Sequence, residues 1–257
     1  MNPGLLHKLS LSLYRYGLRK AHVVFFQNEA NLKFMQRHKV VKKNFGLLPG
    51  SGVNLEKNPF EQYPSDDSKI EFVTIGRIMK DKGIDELLTA AEMIKEKHPN
   101  IIFTVIGSCD EEEYIEKLNV ANKQGTIQYV GRQGDVHSFI KRSHATIHPS
   151  YHEGLSNVLL ETASSGRPIL ATDVPGCRET FVDGVSGIAF EARNANALAE
   201  AVEKFLSLSN DERSSMGKNG RAIVEKEFDR NLVIEAYDRA LSGINKANKT
   251  QEGDRKK

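Results

Sequence analysis

Short runs of β-branched and aromatic residues alternate with stretches of helical periodicity from residue 70 onward. This alternation is typical of βαβ units, in which a helix joins each parallel strand to the next and covers one face of the sheet. The predicted strands are residues 70–76, 101–107, 126–131, 144–150, 168–172 and 187–190. We therefore predict an α/β protein with a Rossmann-like parallel sheet and helices on both faces.

Helices are predicted between these strands and after the last one. The clearest lies within residues 83–99. Its apolar residues recur every three or four positions, and Pro99 ends the pattern. The other predicted helices are residues 112–123, 135–142, 156–165, 195–207, 211–227 and 230–242.

The chain before residue 50 carries a different pattern. Residues 22–27 predict a buried strand, and a helix is predicted over residues 29–38. Glycine and proline residues within 45–55 predict a hinge. A single strand cannot form a sheet, so this part is interpreted as the remnant of a second domain. The predicted domains are this remnant at residues 1–50, a main domain at residues 51–242 and a disordered tail at residues 243–257.

An amphipathic helix is predicted near the start of the chain. Apolar residues recur there at helical spacing among basic ones. The apolar residues are Leu6, Leu9, Leu13 and Tyr16, and the basic ones are Lys8, Arg15, Arg19 and Lys20. Because amphipathic helices usually face a core, we favour a helix that packs on its own domain. Peripheral contact with a membrane surface is the alternative.

The charge and cysteine content exclude several classes of protein. The chain has 36 basic and 34 acidic residues, so its net charge of +2 provides no global field to attract nucleic acid. Cys109 and Cys177 are too few for a disulfide framework.

No apolar run has the length of a membrane span, and the start of the chain shows no signal-peptide pattern. We expect a cytoplasmic protein, with the inner membrane surface as the alternative location.

Small and charged residues gather where the predicted strands end. Ligands of an open parallel sheet bind beyond the carboxyl ends of its strands. The residues there are Gly76 and Arg77, Gly107 and Ser108, Gly131 and Arg132, residues 150–153 and residues 172–176. Arg77 and Lys82 could offer cations to a phosphate, although a solvated basic loop is the alternative.

Glu153 and Glu161 lie eight residues apart. In one helix they would be separated by about 12 Å along the axis, so they could not share a metal ion. With Glu153 in the loop before a helix and Glu161 on its second turn, the two carboxylates could bind the two ends of a nucleotide sugar. The helix start at residues 154–156 would then hold the diphosphate. Two merely exposed carboxylates are the alternative. Ser156 also suits the helix N-cap position, and this role is compatible with phosphate binding at the helix start.

Other motifs that bind cofactors or metals are absent from the sequence. His148 and His152 have the spacing of metal ligands, but Pro149 between them argues against the helix that would align them. No G-x-G-x-x-G or Walker A motif follows any predicted strand, which argues against a dinucleotide-dependent oxidoreductase or a P-loop nucleotidase. We expect no cofactor and no metal.

Two segments together carry a family resemblance. Residues 76–83 (GRIMKDKG) and 153–179 (EGLSNVLLETASSGRPILATDVPGCRE) resemble the donor-binding half of the retaining GT-B glycosyltransferases, whose mark is a Glu-x7-Glu motif. Residues 47–55 and 183–190 fit the same family, particularly its members in capsular and exopolysaccharide synthesis. The resemblance implies the C-terminal half of a GT-B fold and transfer of a hexosyl or N-acetylhexosaminyl group.

The resemblance also assigns a role to each candidate residue. It implies that Arg77 and Lys82 bind the donor diphosphate, that Glu153 holds the transferred sugar, and that Glu161 holds the ribose. The remaining donor-binding residues that it implies are Gly76, Gly154, Leu155, Ser156, Gly131 and Arg132. The donor is expected to be UDP-linked, and the acceptor a glycan or a lipid-linked sugar.

The first 50 residues depart from the family pattern. Such enzymes place the acceptor on an N-terminal Rossmann-like domain that this chain largely lacks. The chain could be a piece of a longer protein, a degraded gene product, or one subunit whose partner chain supplies the missing half. A non-catalytic module that binds nucleotide sugars is the alternative. A nucleotide-sugar epimerase would need an acid and a base that the sequence does not place.

Overall fold

The computed structural model describes residues 3–65 and 69–254 and divides the chain into two compact units. The larger unit is Val53–Asp229, and the smaller one combines the segment up to Gly52 with the segment from Arg230. The helices are α1 (Pro3–Gly17), α2 (Glu29–Arg37), α3 (Ile84–Lys97), α4 (Glu112–Lys123), α5 (His137–Arg142), α6 (Asn157–Ser164), α7 (Ala195–Leu206), α8 (Asn210–Glu227) and α9 (Arg230–Asp254). The strands are β1 (Val24–Phe26), β2 (Phe45–Leu47), β3 (Glu71–Ile75), β4 (Ile102–Ile106), β5 (Gln128–Tyr129), β6 (Ala145–His148), β7 (Ile169–Thr172) and β8 (Gly187–Phe190).

The larger unit contains a six-stranded parallel sheet in the order β5-β4-β3-β6-β7-β8. Successive strand residues pack on opposite faces: Phe72 joins a core cluster with α3, α4 and α7, while Val73 contributes to a cluster with α5. Ile169 and Ala171 pack with α6 and α8. Because helices cover both faces, the strands are nearly continuous apolar runs, as expected for a buried parallel sheet. The predicted fold class is confirmed.

The strand order reverses between β3 and β6. The chain runs outward from β3 through β4 to β5, returns to the middle, and then runs through β6, β7 and β8 to the other edge. In open α/β sheets this reversal leaves a crevice beyond the carboxyl ends of the two central strands, where ligands bind. The segments that follow β3 and β6 are residues 76–83 and 149–156, the two stretches that carry most of the candidate site residues.

The smaller unit differs from its prediction in having a second strand. β1 pairs in parallel with β2 through Val24 and Phe45, Phe25 and Gly46, and Phe26 and Leu47. The prediction of a lone strand was wrong because β2 is only three residues long, half-exposed and followed by the glycines and proline that predicted a hinge. Whether this unit is the remnant of a larger domain stays a prediction, and so do the predicted domain boundaries.

Helix α1 exposes the apolar face that the sequence predicted to be packed. Its contacts with the rest of the smaller unit are made by the opposite side, where Leu11 packs against a cluster formed by Phe26, Leu32, Val40 and Val41. The helix packs on its own unit, as predicted, but through the side that carries Leu11 and not through the predicted row, because it has apolar residues on two sides and only one of them meets the core. Leu5, Leu6, Leu9 and Leu13 are all more than half exposed.

Helix α9 runs past its predicted end at residue 242 to Asp254. No proline occurs between residues 230 and 254, and Gly243, which follows the predicted end and is a common helix-ending residue, is accommodated within the helix. The tail that was predicted to be disordered, residues 243–257, is thus helical as far as Asp254, and residues 255–257 lie outside the described residues. No helix in the described part of the chain is long and apolar enough to cross a membrane.

Candidate functional site

The loops after β3 and β6 are in direct backbone contact at the reversal of strand order. Gly83 has φ +70°, and a Cβ atom on it would lie 2.1 Å from the carbonyl oxygen of Pro149. The backbone N–H of Tyr151 donates to the carbonyl oxygen of Asp81 at 2.9 Å. The left-handed turn and the missing side chain at Gly83 therefore allow residues 76–83 and 149–156 to form one surface.

A lysine, a glutamate and a histidine from these loops meet in this surface. Lys82 Nζ lies 2.5 Å from Glu153 Oε1 and 3.5 Å from Ser150 Oγ. His148, the last residue of β6, places Nε2 3.0 Å from the same Glu153 oxygen. The three side chains are largely buried, with 24%, 16% and 6% of the side chain exposed for Lys82, Glu153 and His148. Two nitrogen donors thus converge on one carboxylate oxygen.

Glu153 is ionised at neutral pH because of these partners. Burial alone would raise its pKa, but the hydrogen bonds and charges of His148 and Lys82 outweigh burial and lower the pKa to about 2. An ionised carboxylate only accepts hydrogen bonds, so His148 must carry its proton on Nε2. The Ser156 hydroxyl lies 3.2 Å from the same nitrogen. The site therefore presents a carboxylate that is held in place and is suited to accept hydrogen bonds from hydroxyl groups.

The lowered pKa of Glu153 predicts a pH-dependent contribution to stability. A carboxyl group whose folded pKa lies below its ordinary value of 4.5 stabilises the fold above that value and stops doing so as pH falls towards about 2. We expect wild-type protein to lose about 2–3 kcal/mol more than Glu153→Gln over this range. Urea unfolding of both proteins at a series of pH values measures the difference. Parallel curves for the two proteins would contradict the assignment.

A third loop, residues 173–176 after β7, holds the backbone of Glu153 from the other side. Gly176 has φ +89°, and a Cβ atom on it would lie 2.4 Å from the carbonyl oxygen of Glu153. The backbone N–H of Ser156 donates to the carbonyl oxygen of Gly176 at 2.8 Å, and the N–H of Gly176 donates to the Glu179 carboxylate at 2.7 Å. The backbone around Glu153 is therefore held between two neighbouring strand ends.

Helix α6 begins directly after this backbone. Ser156 occupies the N-cap position, but its hydroxyl makes no capping hydrogen bond and lies beside His148 instead. Glu161 follows on the second turn of the helix and is half-buried. The predicted arrangement of Glu153 in a loop, a helix start after it and Glu161 on the helix is present. The positive end of the α6 dipole therefore lies between the two carboxylates.

Three of the glycines predicted to border the ligand site lie together beyond the ends of β3, β4 and β5. They are Gly76, Gly107 and Gly131. A Cβ atom on Gly107 would lie 1.7 Å from the carbonyl oxygen of Gly76, and the N–H of Gly107 donates to the carbonyl oxygen of Gly131 at 3.0 Å. Arg77 and Arg132 follow two of these glycines and are exposed. Neither arginine makes a hydrogen bond or ion pair with another described residue, so the structure does not bring them into the Lys82–Glu153 cluster.

His148 is the site residue that sequence reasoning missed. It was considered only as a metal ligand with His152, whose side chain is exposed and makes no hydrogen bond or ion pair within the described part of the cluster. Among the described residues no group of three or more His, Cys, Asp or Glu side chains is placed to hold a metal ion. A polar residue at the carboxyl end of an otherwise buried strand was the signal that could have identified His148. Metal independence stays a prediction.

Comparison with known proteins identifies the family to which this fold and site belong. The sequence pattern of the family described as Glycosyl transferases group 1 matches residues 56–223. These residues include both loops of the cluster and helix α6. The chain belongs to the group 1 glycosyl transferase family.

Two relatives are bacterial glycosyltransferases by name. The chain is 30% identical over 225 residues to the capsular polysaccharide biosynthesis glycosyltransferase CapM of Staphylococcus aureus, covering 79% of this chain and 58% of CapM. It is 27% identical over 251 residues to the N,N'-diacetylbacillosaminyl-diphospho-undecaprenol alpha-1,3-N-acetylgalactosaminyltransferase of Campylobacter jejuni, covering 91% of this chain and 64% of that enzyme. The chain thus spans less than two thirds of either relative.

Solved structures support the same fold. HepE of Anabaena, crystallised with UDP and glucose, superimposes with a TM-score of 0.78 at 16% sequence identity, covering 91% of this chain and 67% of HepE. At this identity the likeness establishes the fold alone. The chain therefore has the architecture of GT-B glycosyltransferases.

Proposed function

We propose that this chain provides the donor side of a retaining glycosyltransferase of the Glu-x7-Glu type. The donor is a nucleoside diphosphate sugar, with UDP as the favoured nucleotide. The observation that carries the proposal is the cluster of Lys82, His148 and Glu153 at the reversal of strand order, next to the start of α6. A cation, a carboxylate and a helix N-terminus lie within one short stretch of surface, which matches the phosphates and the sugar hydroxyls of such a donor.

The charged residues divide between the phosphates and the sugar. Lys82 is held at the edge of the cluster and faces the diphosphate, while exposed Arg77 is free to turn its guanidinium towards the same phosphates. Glu153 is ionised and hydrogen-bonded, so it binds sugar hydroxyls rather than acting as a general acid. Glu161 accepts hydrogen bonds from the ribose.

Backbone groups complete the proposed donor site. Gly154, Leu155 and Ser156 lead into α6 and present backbone donors near the sugar and phosphate. Gly131 and Arg132 lie near the base, and Gly76 lets the donor approach the end of β3. The charge that develops on the departing diphosphate is stabilised by Lys82, Arg77 and the α6 dipole, so the proposed reaction requires no metal.

The acceptor is proposed to be a glycan or a lipid-linked sugar in the synthesis of surface polysaccharides, with a hexosyl or N-acetylhexosaminyl group transferred. The names of the two relatives, one of which includes a diphospho-undecaprenol, support this choice. An acceptor domain, supplied by a partner chain or by a further part of the same protein, belongs to the proposal.

Calorimetric titration with UDP, GDP and NAD tests the donor site. We expect saturable binding of UDP, and about 10- to 100-fold weaker binding by Glu161→Ala, because charge-assisted hydrogen bonds to the ribose are lost. Glu92→Ala, which changes an exposed glutamate on α3, is the matched control and should bind like wild type. Wild-type affinity in the Glu161 variant would contradict its role. Preference for NAD, or no binding by folded protein, would contradict the donor site.

A further inference from the structure

Ser156 is a buried polar residue of the larger unit with an incomplete set of hydrogen bonds. Only 4% of the residue is exposed. A serine hydroxyl can donate one hydrogen bond and accept two, and a buried polar group that leaves a hydrogen bond unmade costs free energy. Within the described part of the chain, the hydroxyl has Nε2 of His148 as its hydrogen-bond partner, at 3.2 Å. The direction of this hydrogen bond decides what the hydroxyl can offer to a ligand.

The protonation of His148 fixes that direction. Glu153 is ionised, and its Oε1 lies 3.0 Å from the same Nε2, so Nε2 carries a hydrogen atom whether the ring is neutral or charged. A ring nitrogen that carries a hydrogen atom cannot accept a hydrogen bond. The Ser156 oxygen therefore accepts from His148, and the proton of the hydroxyl is left without an acceptor among the described residues.

The start of α6 also lacks the cap that a serine usually provides. A serine at the N-cap accepts a hydrogen bond from a backbone N–H of the first turn, as Ser209 does from Glu212 at the start of α8. The Ser156 side chain makes no such bond. Nor do the N–H groups of Val158 and Leu159 donate to any other residue that the structure describes. The first turn of α6 therefore has unused backbone donors beside the unused hydroxyl proton.

The charges around this hydroxyl favour an anionic oxygen as the acceptor of its proton. Ser156 lies at the positive end of the α6 dipole. The Lys82 ammonium joins the same cluster through its ion pair with Glu153. A phosphate oxygen suits this position because it is anionic and accepts several hydrogen bonds.

We infer that the Ser156 side chain donates its hydroxyl proton to an oxygen of the β-phosphate, the phosphate that carries the transferred sugar. His148 is the positioning residue that keeps this proton turned towards the donor. The inference rests on the proposed function, in which Glu153 binds that sugar and the start of α6 holds the diphosphate. Because His148 contacts both Glu153 and Ser156, it aligns the carboxylate that binds the sugar with the hydroxyl that binds the adjoining phosphate.

Calorimetric titration of Ser156→Ala with UDP and UMP tests the role of the hydroxyl. We expect UDP to bind about 10-fold more weakly or worse, and UMP, which lacks the β-phosphate, to bind within about 2-fold of wild type. Because the hydroxyl does not cap α6, the urea midpoint of this variant should stay at the wild-type value. Ser209→Ala removes a true N-cap and is the matched control. It should lower the urea midpoint and leave both affinities unchanged.

Replacement of His148 tests its positioning role. His148→Leu removes the N–H that holds the hydroxyl and should weaken UDP binding about as much as Ser156→Ala does. The double variant should then show little further loss, because both changes remove the same hydrogen bond to the donor. His148→Gln keeps an N–H donor and should restore most of the UDP affinity. If His148→Leu is unfolded by circular dichroism, His148→Asn replaces it, since its shorter amide has no N–H at the position of Nε2.

The outcomes separate this inference from the proposed donor site. Wild-type UDP affinity in Ser156→Ala, or an equal loss for UDP and UMP, would overturn the role of the hydroxyl while wild-type protein still binds UDP. A lower urea midpoint in Ser156→Ala without a loss of UDP affinity would make Ser156 a helix cap instead. Additive losses in the double variant would overturn the positioning role of His148. Folded wild-type protein that does not bind UDP would overturn the proposed function, and this inference with it.

Discussion

Alanine at position 83 is expected to lower the free energy of unfolding by about 3–5 kcal/mol. The left-handed backbone at Gly83 disfavours any side chain, and the new Cβ would overlap the Pro149 carbonyl oxygen at 2.1 Å. Since both contacting groups belong to the backbone, relief requires one loop to move. That movement would also separate Lys82 from Glu153, so UDP binding should fall with stability. Urea unfolding and calorimetry measure the two effects.

Two other glycines separate the cost of the left-handed backbone from the cost of the Cβ contact in Gly83→Ala. Gly125 has φ +75° but open space around its Cα, so Gly125→Ala reports the cost of the left-handed backbone without the contact. Gly134 has neither feature, and Gly134→Ala should be close to neutral. Gly83→Ala should exceed Gly125→Ala by about 2 kcal/mol or more. Equal losses in these two variants would show that the two loops are not fixed by their contact.

The fold class could be predicted because the strands of a parallel sheet are local signals. Each of the six strands after residue 70 is a short apolar run bounded by glycine, proline or polar residues, and each predicted run contains a strand of the structure. The order of the strands is not a local property. Gly83 contacts Pro149 because β3 lies beside β6. The residue pattern of neither segment predicts that the two strands are neighbours.

The candidate site was predictable in its outline and not in its contacts. Helix periodicity was enough to put Glu161 on α6 and Glu153 in the loop before it. The partners of Glu153 come from the ends of two different strands, so the pairing with Lys82 and His148 appears only in three dimensions. The exposed apolar row on α1 was not predicted for a related reason. Periodicity shows that one side of a helix is apolar, but it does not show whether another element covers that side.

Replacing Lys82 with methionine is expected to weaken UDP binding by about 100-fold or more, because the diphosphate loses a fixed cation. The same change leaves Glu153 with His148 as its remaining partner, so the pKa of Glu153 should rise from about 2 towards its ordinary value. Loss of one member of a largely buried ion pair should also cost about 1–3 kcal/mol of stability. Calorimetry and urea unfolding measure these effects. Lys80→Met, which removes an exposed lysine from the same loop, is the matched control.

A double variant distinguishes a role in binding from a role in folding. In Lys82→Met/Glu153→Gln no ionised carboxylate is left without its lysine, so stability should recover towards that of Glu153→Gln alone. Binding of UDP should not recover, because the cation for the diphosphate is still missing. If Lys82→Met bound UDP as tightly as wild type and lost only stability, Lys82 would be a structural partner of Glu153 rather than a ligand of the diphosphate. If Lys82→Arg restored binding while Lys82→Met did not, the positive charge at this position would be the property that the donor requires.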